Sequence, residues 1–183
     1  MRFLKNRAAG FLIAAILFFV SAHGVYSQGG FIFRPLPEFT SSSEKDWLNS
    51  PPLGRADLAG KVTLVYFWAF DCWNSYRSFP WLREVEKRFS GRGFQAVGIH
   101  TPEFSHEKSR KNLEAKVKEF KLTHPVMMDN SFSYWKRMKN RYWPAFYLTD
   151  REGNVVYKMI GETHKGAEKA KQFEEVVEGL ISE

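Results

Sequence analysis

The chain has 183 residues, with 27 Lys and Arg against 20 Asp and Glu, a formal charge of +7. The excess is mild and its basic residues alternate with acids along helix-like stretches such as 108–121, which excludes a nucleic-acid footprint. The one cysteine, Cys72, excludes an internal disulfide framework and leaves a single thiol whose setting has to be read.

Residues 1–7 carry Arg2, Lys5 and Arg7, an apolar stretch runs over 8–22, and small residues stand at Val25 and Ser27. This order predicts a secretory signal peptide over 1–27, cut after Ser27, and so an extracytoplasmic (periplasmic or secreted) protein. The alternative is an uncleaved anchor, but the stretch is shorter than the roughly 20 apolar residues that span a bilayer. No cysteine lies near the cut, so a lipid-modified amino terminus is excluded. Membrane contact is expected only through this leader. Its removal takes the basic count from 27 to 24 against 20 acids, a charge of +4. The remainder fits one domain with a proper core. An odd cysteine in an oxidising compartment points to a reactive thiol or an intermolecular partner, with inert packing as the alternative.

Residues 28–52 are rich in Gly, Pro and Ser and read as an extended segment, with one short strand or hairpin docked on the edge of a domain over 53–183. The β-branched and aromatic run 62–68 predicts a central strand buried on both faces. Phe79, Leu82, Val85 and Phe89 mark one apolar stripe of a helix over 73–90, with Pro80 expected to kink it. A second buried strand over 94–100 completes a right-handed βαβ unit. A loop follows at 100–104, then a charged amphipathic helix over 107–120, a short strand over 125–129 and a brief helix over 133–139. The hairpin 144–160 turns at 150–154, and a helix over 167–181 closes the chain.

The run Tyr66-Phe67-Trp68-Ala69-Phe70-Asp71-Cys72-Trp73-Asn74-Ser75 places the thiol where a strand turns into a helix. Unpaired N–H groups at a helix start favour the thiolate, and hence nucleophilic chemistry. Asp71 next door opposes that effect, aromatic burial by Trp73, Trp81 and Trp143 resists charge, and Ser75 is placed to donate a hydrogen bond to the thiolate.

Val65-Tyr66-Phe67-Trp68-Ala69, Phe79-Pro80-Trp81-Leu82, Val97-Gly98-Ile99-His100-Thr101-Pro102-Glu103-Phe104, Trp143-Pro144-Ala145-Phe146-Tyr147-Leu148-Thr149-Asp150 and the Gly153 hairpin through Gly161-Glu162 occur in one order. That order resembles the thioredoxin fold, and within it the extracytoplasmic thioredoxin-like thiol-disulfide oxidoreductases, the redoxins of TlpA/ResA type. The resemblance implies an α/β fold with a central mixed β-sheet flanked by helices and an extended N-terminal extension. It implies a cis peptide before Pro144, with the Trp143 backbone turned to pair an extended peptide across the thiol. Trp73, Trp143 and Pro144 are then the expected substrate-binding residues.

The family's active site is Cys-x-x-Cys, and here it reads Cys72-Trp73-Asn74-Ser75. Ser75 cannot release a mixed disulfide, so an external thiol has to resolve it. The resemblance also places Tyr66 where thioredoxins carry a buried acid, and Ser78 where many relatives carry a proton-transferring acid. Glu103, in a loop beyond a strand's carboxyl end, is a candidate proton carrier, with a solvated carboxylate as the plainer reading. The histidines show no ligand spacing, and no metal or cofactor is expected.

Three functions follow. The first is a CxxS thioredoxin-like protein in which Cys72, aided by Ser75, forms mixed disulfides with protein thiols or disulfides in exchange or isomerisation. The second is a redox-inactive binding or assembly module that uses the groove at Pro144. The third, a one-cysteine peroxidase, is disfavoured because Ala69 stands where such families place a Thr or Ser.

Overall fold

Every residue of β3 (Val62–Trp68) is buried, and its alternate side chains feed two separate cores. In the computed structural model, which describes residues 29–183, this strand is the centre of a seven-stranded mixed sheet. The expected signal peptide lies outside the described residues.

Leu64, Tyr66 and Trp68 point to one face, where α1 (Trp73–Phe89) lays down Phe79, Leu82, Val85 and Phe89. α2 (Arg110–Glu119) adds Leu113 and Val117, and α4 (Glu168–Ser182) adds Phe173 and Val177. Val65 and Phe67 point to the other face, against Tyr134 of α3 (Ser133–Arg137), Met138, and Leu36, Trp47 and Leu58 from the N-terminal segment. Each such large apolar side chain stabilises the fold by about 1.5–3 kcal/mol when fully buried. α1 runs unbroken from Trp73 through Pro80 to Phe89.

β4 (Phe94–His100) pairs parallel with β3, and β5 (Val126–Met128) parallel with β4. β6 (Ala145–Thr149) pairs antiparallel with β3, and β7 (Asn154–Ile160) antiparallel with β6. The N-terminal segment contributes two strands that do not pair with each other, so it is neither a single strand nor a hairpin. β1 (Gly29–Pro35) pairs with β7, while β2 (Trp47–Leu48) pairs with β5 at the opposite edge. The order is therefore β1-β7-β6-β3-β4-β5-β2, with both edges supplied by the extension.

One expected helix starts later than its apolar pattern suggests. Residues Ser105–Lys108 form a separate 3-10 turn, and α2 begins after Ser109, whose hydroxyl accepts the Asn112 N–H. The cause is Glu107, whose carboxylate folds back into the protein instead of joining the helix surface.

Candidate active site

Cys72 is the residue before α1, partly exposed, at the carboxyl end of β3. Its N–H donates to the Ala69 carbonyl at 3.2 Å, and its own carbonyl accepts the Tyr76 N–H at 3.0 Å, which closes the first helical turn. The sulfur lies 3.9 Å from the Trp143 carbonyl oxygen, a contact at the long limit for a thiol donor. The Trp143–Pro144 peptide bond is cis, and Pro144 is buried beside the site.

The flanking aromatics divide by exposure. Trp73 is 65% exposed and stacks on Tyr76, with ring centroids 5.3 Å apart. Trp143 is half-buried, its ring 4.3 Å from Trp135, and its indole N–H donates to the Thr101 carbonyl at 2.9 Å. Phe104 and Tyr142 are also exposed. Between α1 and α2 a cleft of about 270 Å³ opens beside Asp71 and Trp73, lined by Phe70, Tyr76, Lys116 and Phe120.

Ser75 lies one turn into α1, almost fully buried, and its hydroxyl has no hydrogen-bond partner among the described residues. The expected bond from this hydroxyl to the sulfur is therefore not made. Ser78, one turn further, is used fully: its hydroxyl donates to the Asn74 carbonyl at 2.8 Å and accepts the Thr163 N–H at 3.1 Å. It ties α1 to the turn after β7. Thr163 itself has a buried hydroxyl without a partner.

Tyr66 is committed elsewhere. Its hydroxyl meets His124 Nε2 at 2.7 Å, and His124 Nδ1 meets the Glu86 carboxylate at 2.7 Å. Burial, with Glu86 nearby, holds the phenol protonated well above its ordinary range. Glu103 is exposed, and its link to the site runs through its backbone N–H instead of its carboxylate.

The acid that the structure does place under the site is Glu107, which the sequence pattern assigned to a solvated helix. It is completely buried. One carboxylate oxygen accepts the Asp71 N–H at 2.9 Å; the other accepts the N–H groups of Glu103 at 2.6 Å and Phe104 at 2.7 Å. The readable signal was half of a capping box, an acid three residues after a loop residue, without the Ser or Thr that completes it. Beside it His106 Nε2 lies 2.5 Å from the Asp71 carboxylate. His100, at the end of β4, is buried between Phe70, stacked at 5.3 Å, and Trp68, with both ring nitrogens unpartnered among the described residues. Desolvation takes its pKa down to about 3, so the ring is neutral in ordinary conditions.

Among the described residues no three His, Cys, Asp or Glu side chains are grouped closely enough to hold a metal ion. The arrangement offers a thiol at a helix start, a carbonyl beside it, exposed aromatics around it and a backbone turn tied down from below.

The family model described as AhpC/TSA matches residues 34–158. Protein DipZ of Mycobacterium bovis is 36% identical over 119 residues, which cover 63% of this chain and 17% of DipZ. This chain thus spans about a sixth of the length of that relative. Thiol-disulfide oxidoreductase ResA of Bacillus cereus is 26% identical over 169 residues, covering 88% of this chain and 92% of ResA. A solved thiol-disulfide isomerase from Corynebacterium glutamicum superposes with a TM-score of 0.66 at 20% identity, over 81% of this chain and 97% of that one, a likeness of fold. The chain belongs to the AhpC/TSA family, as a thioredoxin-like redoxin of ResA type with Ser75 at the position of the second thiol.

Proposed function

We propose that this is an exported thioredoxin-like protein that performs thiol-disulfide exchange or isomerisation through Cys72 alone. The observation that carries the reading is the lone thiol at the start of α1, 3.9 Å from the Trp143 carbonyl, with a buried hydroxyl at Ser75. The Cys72 thiolate attacks one sulfur of a substrate disulfide. A new S–S bond forms to that sulfur, and the other sulfur leaves as a thiolate that takes a proton from water. A second, external thiol then attacks the substrate sulfur of the mixed disulfide, forms a new disulfide and releases the Cys72 thiolate. Cys72 ends in the state in which it began, so no electrons accumulate on the protein. Trp73, Trp143 and Pro144 hold the substrate peptide, and the backbone N–H of Trp143, which meets no acceptor among the described residues, is available to pair with it.

Acid quenching of cells that express the protein, followed by non-reducing separation, tests this. Adducts linked to Cys72 are expected, absent in Cys72→Ala, and shorter-lived in Ser75→Cys, where a second thiol supplies the release step. A thiol that traps nothing and resists iodoacetamide up to about pH 9, above the ordinary thiol range, would overturn the exchange reading.

The exposed rim of Trp73, Phe104 and Tyr142 supports a second reading, a binding or assembly module that holds a partner peptide without chemistry. Partner capture that survives Cys72→Ala would favour it. The peroxidase reading gains nothing, because residue 69 is a buried alanine with no hydroxyl to offer peroxide.

A further inference from the structure

We infer that Glu107 is the positioning residue of the thiol site. Its carboxylate is the joint between the turn that ends at Cys72 and the loop that carries Phe104. The inference rests on the exchange reading above for its chemistry, and on three hydrogen bonds for its geometry.

The turn before Cys72 has few other restraints. Ala69 accepts the Cys72 N–H within the turn itself, and Asp71 reaches outward to a partly exposed His106. Among the described residues, the one hydrogen bond that ties the backbone of this turn to a distant part of the chain is from the Asp71 N–H to Glu107. On its other oxygen the same carboxylate gathers the N–H groups of Glu103 and Phe104, so it fixes a second piece of backbone at the rim. That loop is also joined to the opposite wall, because the Thr101 carbonyl accepts the Trp143 indole N–H and the Thr101 hydroxyl donates to Asp129. Asp129 in turn accepts the backbone N–H groups of Tyr134 and Trp135 and so caps α3. A chain of contacts therefore runs from the Cys72 turn through Glu107 and the loop to Trp143.

Two carboxylate oxygens are required for this. A glutamine at this position presents an NH2 group to at least one backbone N–H, donor against donor, and so loses either the turn or the loop. Aspartate keeps both acceptors and gives up reach by one methylene.

Steady-state exchange is measured with a glutathione-capped cysteine peptide as the disulfide and free glutathione as the second thiol, alongside backbone amide exchange. Glu107→Gln is expected to lower kcat by about tenfold or more with KM changed less than about twofold, since the peptide contacts at Trp143 and Pro144 remain. The Asp71, Glu103 or Phe104 amides are expected to lose protection by about tenfold or more in the same variant. Glu107→Asp is expected to fall between Gln and the parent. A folded Gln variant with parental kcat overturns the inference, whether or not the amides lose protection, because Glu107 is then only structural. If Glu107→Gln does not fold, the Asp variant decides by the same kcat criterion, and unprotected parental amides at these three positions overturn the inference outright. If the parent itself shows no turnover, the exchange reading fails, and the three amides still decide whether Glu107 holds the turn.

Discussion

On the loop side of Cys72 the Asp71 N–H meets Glu107, the Asp71 carboxylate meets His106, and the Trp143 indole meets the Thr101 carbonyl. On the helix side the hydroxyls of Ser75 and Thr163 are buried with no acceptor, and only Ser78 is bonded. A buried polar group left unpaired costs about 1–3 kcal/mol, so evolution and folding tolerate such groups only where few accumulate. The difference teaches where the site is fixed. Backbone geometry is held from the loop side, while the position a second thiol would occupy keeps unused hydrogen-bonding capacity next to the sulfur's helix.

The comparison is most exposed at His100, which lies beneath the loop side yet has no partner on either nitrogen. Its folded pKa is about 3 and an unfolded histidine titrates near 6.5. Between those values the unfolded chain binds a proton that the folded chain refuses, so stability falls as the pH drops from about 6.5 toward 3. The loss attributable to this ring is on the order of 4 kcal/mol at the acid end. Urea unfolding across that range should show it shrinking in His100→Phe. Parallel curves for the two proteins would mean that His100 has a partner and that the loop side is even more complete.

Glu107→Ala comes next, with an expected loss of about 3 kcal/mol in urea unfolding, because three backbone donors lose a charged acceptor at once. A loss below about 1 kcal/mol would erase the contrast between the two sides. Ser78→Ala is expected to cost about 1 kcal/mol, for one donated and one accepted bond. Ser75→Ala is the smallest, with no loss expected and a gain of up to about 1 kcal/mol, since its hydroxyl makes no bond to lose and its removal relieves a buried unpaired group while leaving only a small void. A cost as large as that of Ser78→Ala would reveal a contact from Ser75, with the Cys72 sulfur as the nearest candidate by sequence.

The strands and helices that build the site were legible because their signals are local. Val62 to Trp68 is too apolar and β-branched for anything but a buried strand, and the stripe Phe79, Leu82, Val85, Phe89 repeats at helical spacing. The placement of Cys72 at the strand-to-helix turn followed from those two alone. Glu107 was not legible in the same way. In a stretch containing Glu103, Lys108, Arg110 and Glu114, one more acid looks solvated, and its burial depends on donors from Asp71, 36 residues earlier. Ser78 and Tyr66 were noted as departures from the family pattern, but their actual partners, Thr163 and His124, come from distant turns. That residues 28–52 supply both edges was not legible for the same reason: Trp47 and Leu48 pair with Met127 and Val126, a strand far along the chain, and nothing local to 28–52 selects that partner.

Those edges have a consequence for how the molecule is assembled. The first described strand is zipped to the last one in sequence, Gly29 opposite Met159, so the sheet cannot be finished until nearly the whole polypeptide is present. Contacts of such long range slow folding, and until they form the flanks of β7 and β5 are open to any extended chain nearby. The short tether over 29–48 thus acts as a seal applied late. Once it is in place, the flanks of β7 and β5 are covered, and the outer edges left to the sheet are those of β1 and of the two-residue β2.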